Sequence, residues 1–96
     1  MSEPVFEPIQ RHTLLALLDG DGELLELMYQ SELVPRDEQA LCAEHAEAAR
    51  VVCTLVHELE VNWPGVEVIL RMRAELLAAR RQMAELLALL RERREQ

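Results

Sequence analysis

The sequence predicts a mainly α-helical protein, with a helix-turn-helix unit followed by a long C-terminal helix. Three observations carry this expectation. Half of the 96 residues are apolar but only three are aromatic, and Leu, Ala, Val, Glu and Arg dominate, which favours helix over strand. Two short apolar segments flank Asp19-Gly20-Asp21-Gly22, a strong turn signal. From Ile69 to Leu90 apolar residues recur at alternating spacings of three and four, the seam of a long amphipathic helix. The length suits one small domain rather than two, and a core built from Leu, Val and Ala is thin. Help from oligomerisation is therefore expected.

Along the chain, the two prolines in Glu3-Pro4-Val5-Phe6-Glu7-Pro8 exclude a helix, and Val5 and Phe6 suit a short edge strand. Arg11 to Leu18 reads as a short helix that stops at the Asp-Gly pairs. Asp21 is a candidate N-cap for a second helix, Glu23 to Ser31, in which Leu24, Leu27 and Met28 share a face. Glu32-Leu33-Val34-Pro35 breaks that helix, and Gln39 to Cys42 is expected to be briefly extended. A third helix should run from about Ala43 to Glu60. Its apolar face comprises Ala46, Ala49, Cys53, Val56 and His57, flanked by Val52, Leu55 and Leu59.

The stretch VNWPGVEVIL, Val61 to Leu70, holds the only tryptophan. Asn62 is a fair N-cap, and Pro64 belongs in a first turn, where its missing N–H costs nothing. Trp63 thus sits at an elbow between two helices, where it is expected to fill the corner or, if exposed, to anchor a partner. The last helix, from about Pro64 to Arg94, would be roughly 45 Å long. A compact domain of this size has a radius of gyration of only ~13 Å. Its seam of Ile69, Met72, Leu76, Ala79, Met83, Leu86 and Leu90, widened by Leu70, Leu77 and Leu87, is expected to pair with a second copy, giving a homodimer. The organisation expected is an acidic helix-turn-helix-like unit with its following helix over 1–60, then the elbow and dimerisation helix over 61–96.

Charge is uneven. The net charge is −8, and all ten basic residues are arginine. Residues 1–36 carry seven acids against two arginines and residues 37–60 six against one, whereas residues 61–96 carry five against seven. An acidic front calls for a basic partner and makes DNA an unfavourable one, because phosphate contacts need Arg and Lys. No run is apolar enough to span a bilayer, and the N-terminus lacks the features of a signal peptide. A cytoplasmic protein with no membrane partner is expected. Two cysteines make no disulfide framework.

Metal and catalytic readings are weak at this level. Cys42, His45, Cys53 and His57 match no zinc spacing, and Cys42 and His57 would lie ~22 Å apart along one helix. Cys53 then reads as a small buried apolar group and His57 as a half-buried helix residue. The Asp-Gly repeat lacks a calcium loop's ligand set. No metal, cofactor or catalysis is expected. Glu23, Glu26, Glu32, Asp37, Glu38, Glu44 and Glu47 surround the helix-turn-helix unit. They suit either a solvated face or a docking surface.

The run Leu55-Val56-His57-Glu58-Leu59-Glu60-Val61-Asn62-Trp63-Pro64-Gly65-Val66 resembles the LH-x-[DE]-L-x-[DN]-W-x-G-[IV] signature of the CbpM-type chaperone modulators. Glu32-Leu33-Val34-Pro35 resembles their G-[IV]-V-E-P stretch, and the Leu- and Arg-rich tail also fits. The resemblance covers roughly residues 10–94 and is most specific around Trp63. It implies a MerR-like winged helix-turn-helix fold. It also implies a non-enzymatic inhibitor that binds the J-domain of a DnaJ-like co-chaperone, CbpA, restraining its action on DnaK and its DNA binding. With it, the expected partner-binding residues are Glu44, Glu47, His57, Glu58 and Trp63. The alternative is a MerR-like DNA-binding regulator. Against it, the helix that would enter the major groove carries Glu23 and Glu26 and no base.

Overall fold

The computed structural model describes residues 8–95. Helix accounts for 77% of them, and no strand forms among them, so the mainly helical class holds. The described residues show no wing. The candidate strand at Val5 and Phe6 lies outside them. Two compact units result, one ending at Trp63 and the other beginning at Pro64.

In the first unit, α1 (Arg11–Leu17) and α2 (Gly22–Gln30) are two short helices joined by a turn. Asp21 caps α2, its carboxylate accepting the Leu24 N–H at 3.0 Å, as its position before an apolar run demands. Gln10 offers α1 no such side-chain cap. Instead the Arg11 N–H donates to the Glu38 carboxylate at 3.1 Å, and the Arg11 guanidinium donates to the Arg36 carbonyl at 2.8 Å. Helix α1 closes with Gly20 N–H on the Leu15 carbonyl and Asp19 N–H on that of Ala16. Helix α2 closes likewise, with Leu33 on Met28 and Glu32 on Tyr29. This paired ending requires a left-handed residue, usually glycine. Here Asp19 (φ 57°) and Glu32 (φ 59°) take it, and the hydrogen bonds to the orphan carbonyls offset the cost.

Gln39 and Ala40 depart from expectation. They belong to a 3-10 turn, Glu38–Ala40, nucleated by Asp37, whose carboxylate accepts the Gln39 N–H at 3.0 Å. Side-chain capping of this kind diverts a short segment from extended backbone. Leu41 and Cys42 are extended, and Cys42 makes one antiparallel bridge with Pro8.

Helix α3 (Ala43–Cys53) begins at Cys42, whose N–H donates to His45 Nδ1 at 3.0 Å. It continues without a break as a π turn, Thr54–Glu58. The π turn inserts a wider winding and ends with Leu59 N–H on the Thr54 carbonyl at 3.1 Å. The expected face is therefore corrected. Ala49, Val52 and Leu55 point into the core, Ala46, Cys53 and Val56 are half-buried, and His57 and Leu59 are exposed. A uniform 3.6-residue period does not survive the insertion.

The core of this unit unites Leu14 from α1 and Leu18 from its C-cap, Leu24, Leu25 and Met28 from α2, and Ala49, Val52 and Leu55 from α3 and its π turn. Val34 and Leu41 close it from the connecting segment. Leu27, placed on the apolar face of α2 by spacing alone, is half-buried and yields to Leu25.

Helix α4 runs from Trp63, the last residue of the first unit, to Glu95, 33 residues, and makes up the second unit. That is about 50 Å of helix. Val66 and Leu70 are buried. Among the described residues no helix is long and apolar enough to cross a membrane.

Candidate functional site

Three surfaces carry the residues expected to matter. The first is the outer face of α3. Glu44 and Glu47 are both exposed there, and Glu47 is held only loosely by Arg50 at 3.3 Å one turn on, an exposed pair of little energetic weight. Beside them lies a shallow depression of about 250 Å³ lined by Glu47, Arg50, Val51, Thr54 and Leu55. One acidic group, Glu47, and the Arg50 guanidinium thus border a largely apolar hollow.

The second is the elbow. Trp63 is half-buried, and its indole N–H donates to Ser31 Oγ at 3.1 Å. Ser31 is the residue that closes α2, so the lone tryptophan ties the end of the π-turn segment to the end of α2. Glu58 is exposed. His57 is committed elsewhere: its Nε2 meets Asp21 Oδ2 at 3.0 Å and its Nδ1 meets Asp19 Oδ2 at 3.5 Å. The five expected partner residues are thereby found in different settings, with Glu44 and Glu47 on α3, His57 engaged by the α1–α2 turn, and Trp63 engaged by Ser31.

The third is the seam of α4. Met72, Leu76, Met83, Leu86 and Leu90 are 62%, 53%, 64%, 60% and 56% exposed, Ala79 is exposed and Ile69 half-buried. Leu77 and Leu87 are exposed beside them, whereas Leu70 is buried.

The chain matches no protein family, curated protein or solved structure.

The His57 cluster is the arrangement that sequence reasoning missed. Cys53 Sγ lies 3.4 Å from His57 Nδ1 and 3.5 Å from Asp19 Oδ2. Cys53 is thus a polar participant rather than a small apolar filler, and His57 is an ion-pairing group rather than a plain helix residue. The spacing of Cys53 and His57 is visible in the sequence. Asp19 and Asp21 lie 34 and 36 residues away, and only the packing of α1 on α3 brings them in.

Electrostatics follow the geometry. Asp21 sits below its ordinary range, first because His57 donates to it and then because the Leu24 N–H does. His57 is raised above its ordinary 6.5, chiefly by Asp21. The Cys53 thiol is raised by burial and by the neighbouring Asp19 carboxylate. A raised histidine stabilises the fold fully below 6.5, and that stabilisation is lost as pH climbs through its folded value. A depressed Asp21 stabilises above 3.8, and that part is lost as pH falls through its folded value. The pair therefore contributes most between those two values. In buffers containing a chelator, the stability gap between the wild type and His57→Gln is expected to be widest there and to narrow towards alkaline pH. Urea midpoints across pH measure it. A gap that widens above neutrality would contradict the ion pair.

Proposed function

We propose that the protein is a non-enzymatic modulator that binds the basic J-domain of a DnaJ/CbpA-type co-chaperone, acting as a homodimer held by α4. The observation that carries this reading is the outer face of α3, where Glu44 and Glu47 are exposed and Glu47 borders a largely apolar hollow with Val51 and Leu55. Charge complementarity speeds and orients docking, and an apolar centre supplies affinity. The resemblance of residues 55–66 to the CbpM-type signature supports the same partner. Glu58 is a further exposed carboxylate, whereas Trp63 and His57 act by holding the first unit together through Ser31 and Asp21.

The fold is read as MerR-like, with α1 and α2 as its helix-turn-helix. The bridge of Pro8 with Cys42 supports that reading. Recognition of DNA by α2 is disfavoured. Its Glu23 and Glu26 are exposed, and the nearest base, Arg36, is occupied by Glu26 at 2.7 Å.

For dimerisation, the heptads of α4 place Glu75 and Arg80 on the two flanks of the seam, five residues apart. In a parallel pair this sets opposite charges across the interface.

The test is calorimetric titration with an isolated J-domain at low and high salt. Binding is expected to weaken as salt rises. Glu44→Arg combined with Glu47→Arg is expected to weaken it by at least about tenfold, since like charges facing each other cost several kcal/mol. Unchanged affinity in that double variant would remove α3 from the interface. No binding at either salt would overturn the modulator reading and direct attention to duplex DNA.

A further inference from the structure

We propose that Asp19, Cys53 and His57 form a zinc-binding site, with Asp21 orienting the imidazole from behind. This goes beyond the modulator reading and does not depend on it.

A thiol, an imidazole nitrogen and a carboxylate oxygen are the three side-chain ligands that zinc takes, and a mixed set with one sulfur suits zinc over calcium or magnesium. Their donor atoms converge, all within 4.8 Å of one another. Cys53 Sγ to His57 Nδ1 is 3.4 Å, Cys53 Sγ to Asp19 Oδ2 is 3.5 Å, and His57 Nδ1 to Asp19 Oδ2 is 3.5 Å. Zinc–ligand bonds of about 2.0–2.3 Å at tetrahedral angles require ligand–ligand edges of about 3.3–3.6 Å. The triangle is therefore already the size of one tetrahedral face. The fourth corner faces outward, since Asp19 and His57 are both exposed, and water or an exogenous ligand can occupy it.

The far side of the ring completes the case. His57 Nε2 meets Asp21 Oδ2 at 3.0 Å. A metal-bound imidazole characteristically gives its other N–H to a carboxylate, which fixes the tautomer and ring orientation and raises ligand basicity. Here that carboxylate is itself fixed, because Asp21 also caps α2 through Leu24. Finally, His57 lies within the π turn and Cys53 directly precedes it, and single π turns within helices often occur at functional sites.

Binding replaces a proton-sharing network by a metal. The Cys53 thiol loses its proton to become the thiolate ligand, and His57, where protonated, releases the proton on Nδ1. Zinc uptake thus releases protons and strengthens as pH rises. The metal would join the α1–α2 turn to the end of α3, stabilising the first unit by mass action.

The experiment uses the untagged full chain, stripped by chelator and titrated with cobalt(II) and then zinc. Cobalt is expected to give tetrahedral visible bands and a thiolate-to-metal charge-transfer band, both displaced by one equivalent of zinc per chain. Cys53→Ser should abolish the charge-transfer band, while Cys42→Ser should leave it intact. Asp21→Asn, which touches no metal, should weaken zinc by about 10–100-fold. Far-UV circular dichroism checks that each variant stays helical, and the wild-type and Cys42→Ser spectra decide the matter even if the others unfold. A wild type without the charge-transfer band, or a band that survives Cys53→Ser or vanishes in Cys42→Ser, overturns the proposal.

Discussion

Leu76→Asp combined with Met83→Asp is expected to convert the protein from a two-chain to a one-chain species in sedimentation equilibrium. Both residues lie in the α4 seam and are 53% and 64% exposed in the single chain. Nine of the ten large exposed hydrophobics among the described residues belong to this one helix, and exposed apolar surface on that scale is normally covered by a partner. Full burial of a Leu or Met side chain contributes roughly 1.5–3 kcal/mol. Pairing can bury only the exposed part of each, a little over half, so two positions on each of two chains account for roughly 3–7 kcal/mol, or at least about two orders of magnitude in dissociation constant. Aspartates facing each other across the seam add repulsion. The far-UV signal of α4 is also expected to fall, because an isolated helix owes most of its stability to the face it packs. A wild type that sediments as one chain at every concentration would sink the seam as a dimer interface. Loss of the dimer in Glu75→Arg, with recovery in the Glu75→Arg, Arg80→Glu pair, would identify the parallel arrangement.

Met28→Ala is expected to cost the first unit about 2–5 kcal/mol. Met28 is fully buried, at 0% exposure, in the same core as Leu14, Leu18 and Val52. A domain of this size has a total stability of only ~5–15 kcal/mol, so the loss removes a large share. The cost combines lost transfer energy with the cavity that α1 and α3 cannot close without moving. Met28→Leu conserves volume and should cost less than about 1.5 kcal/mol. Urea unfolding followed by Trp63 fluorescence reads the effect selectively. The indole is the only one in the chain and belongs to this unit through its hydrogen bond to Ser31. Equal midpoints for wild type and Met28→Ala would contradict the core assignment.

Local signals were the ones legible in the sequence. Asp21 announces itself as a cap because it precedes an apolar run, and its carboxylate accepts the Leu24 N–H. Asn62-Trp63-Pro64 announces a helix start, and α4 begins at Trp63. The Asp-Gly repeat announces the end of α1, although Asp19 takes the left-handed region as well as Gly20. The end of α2 gives no such warning, since Glu32 takes a position that glycine usually fills. The 3-10 turn at Glu38 and the π turn at Thr54 were also invisible, because a change of winding leaves residue composition unaltered.

The candidate site divides along the same line. Glu44 and Glu47 could be placed on an exposed helix face by spacing, because helical periodicity relates residues a turn apart. The heptads of α4 were equally readable, and they record an apolar stripe that one chain leaves exposed. The role of His57 could not be read this way. Its partners Asp19 and Asp21 and the bond of Trp63 to Ser31 span 32 to 38 residues. By itself the sequence determined the helices, most of their ends, the acidic front and the apolar seam, since each follows from contacts within a few residues. Only the tertiary structure decided that two aspartates, a cysteine and a histidine share one corner, because burial of Leu14, Met28 and Val52 in a common core fixes which turn faces which helix.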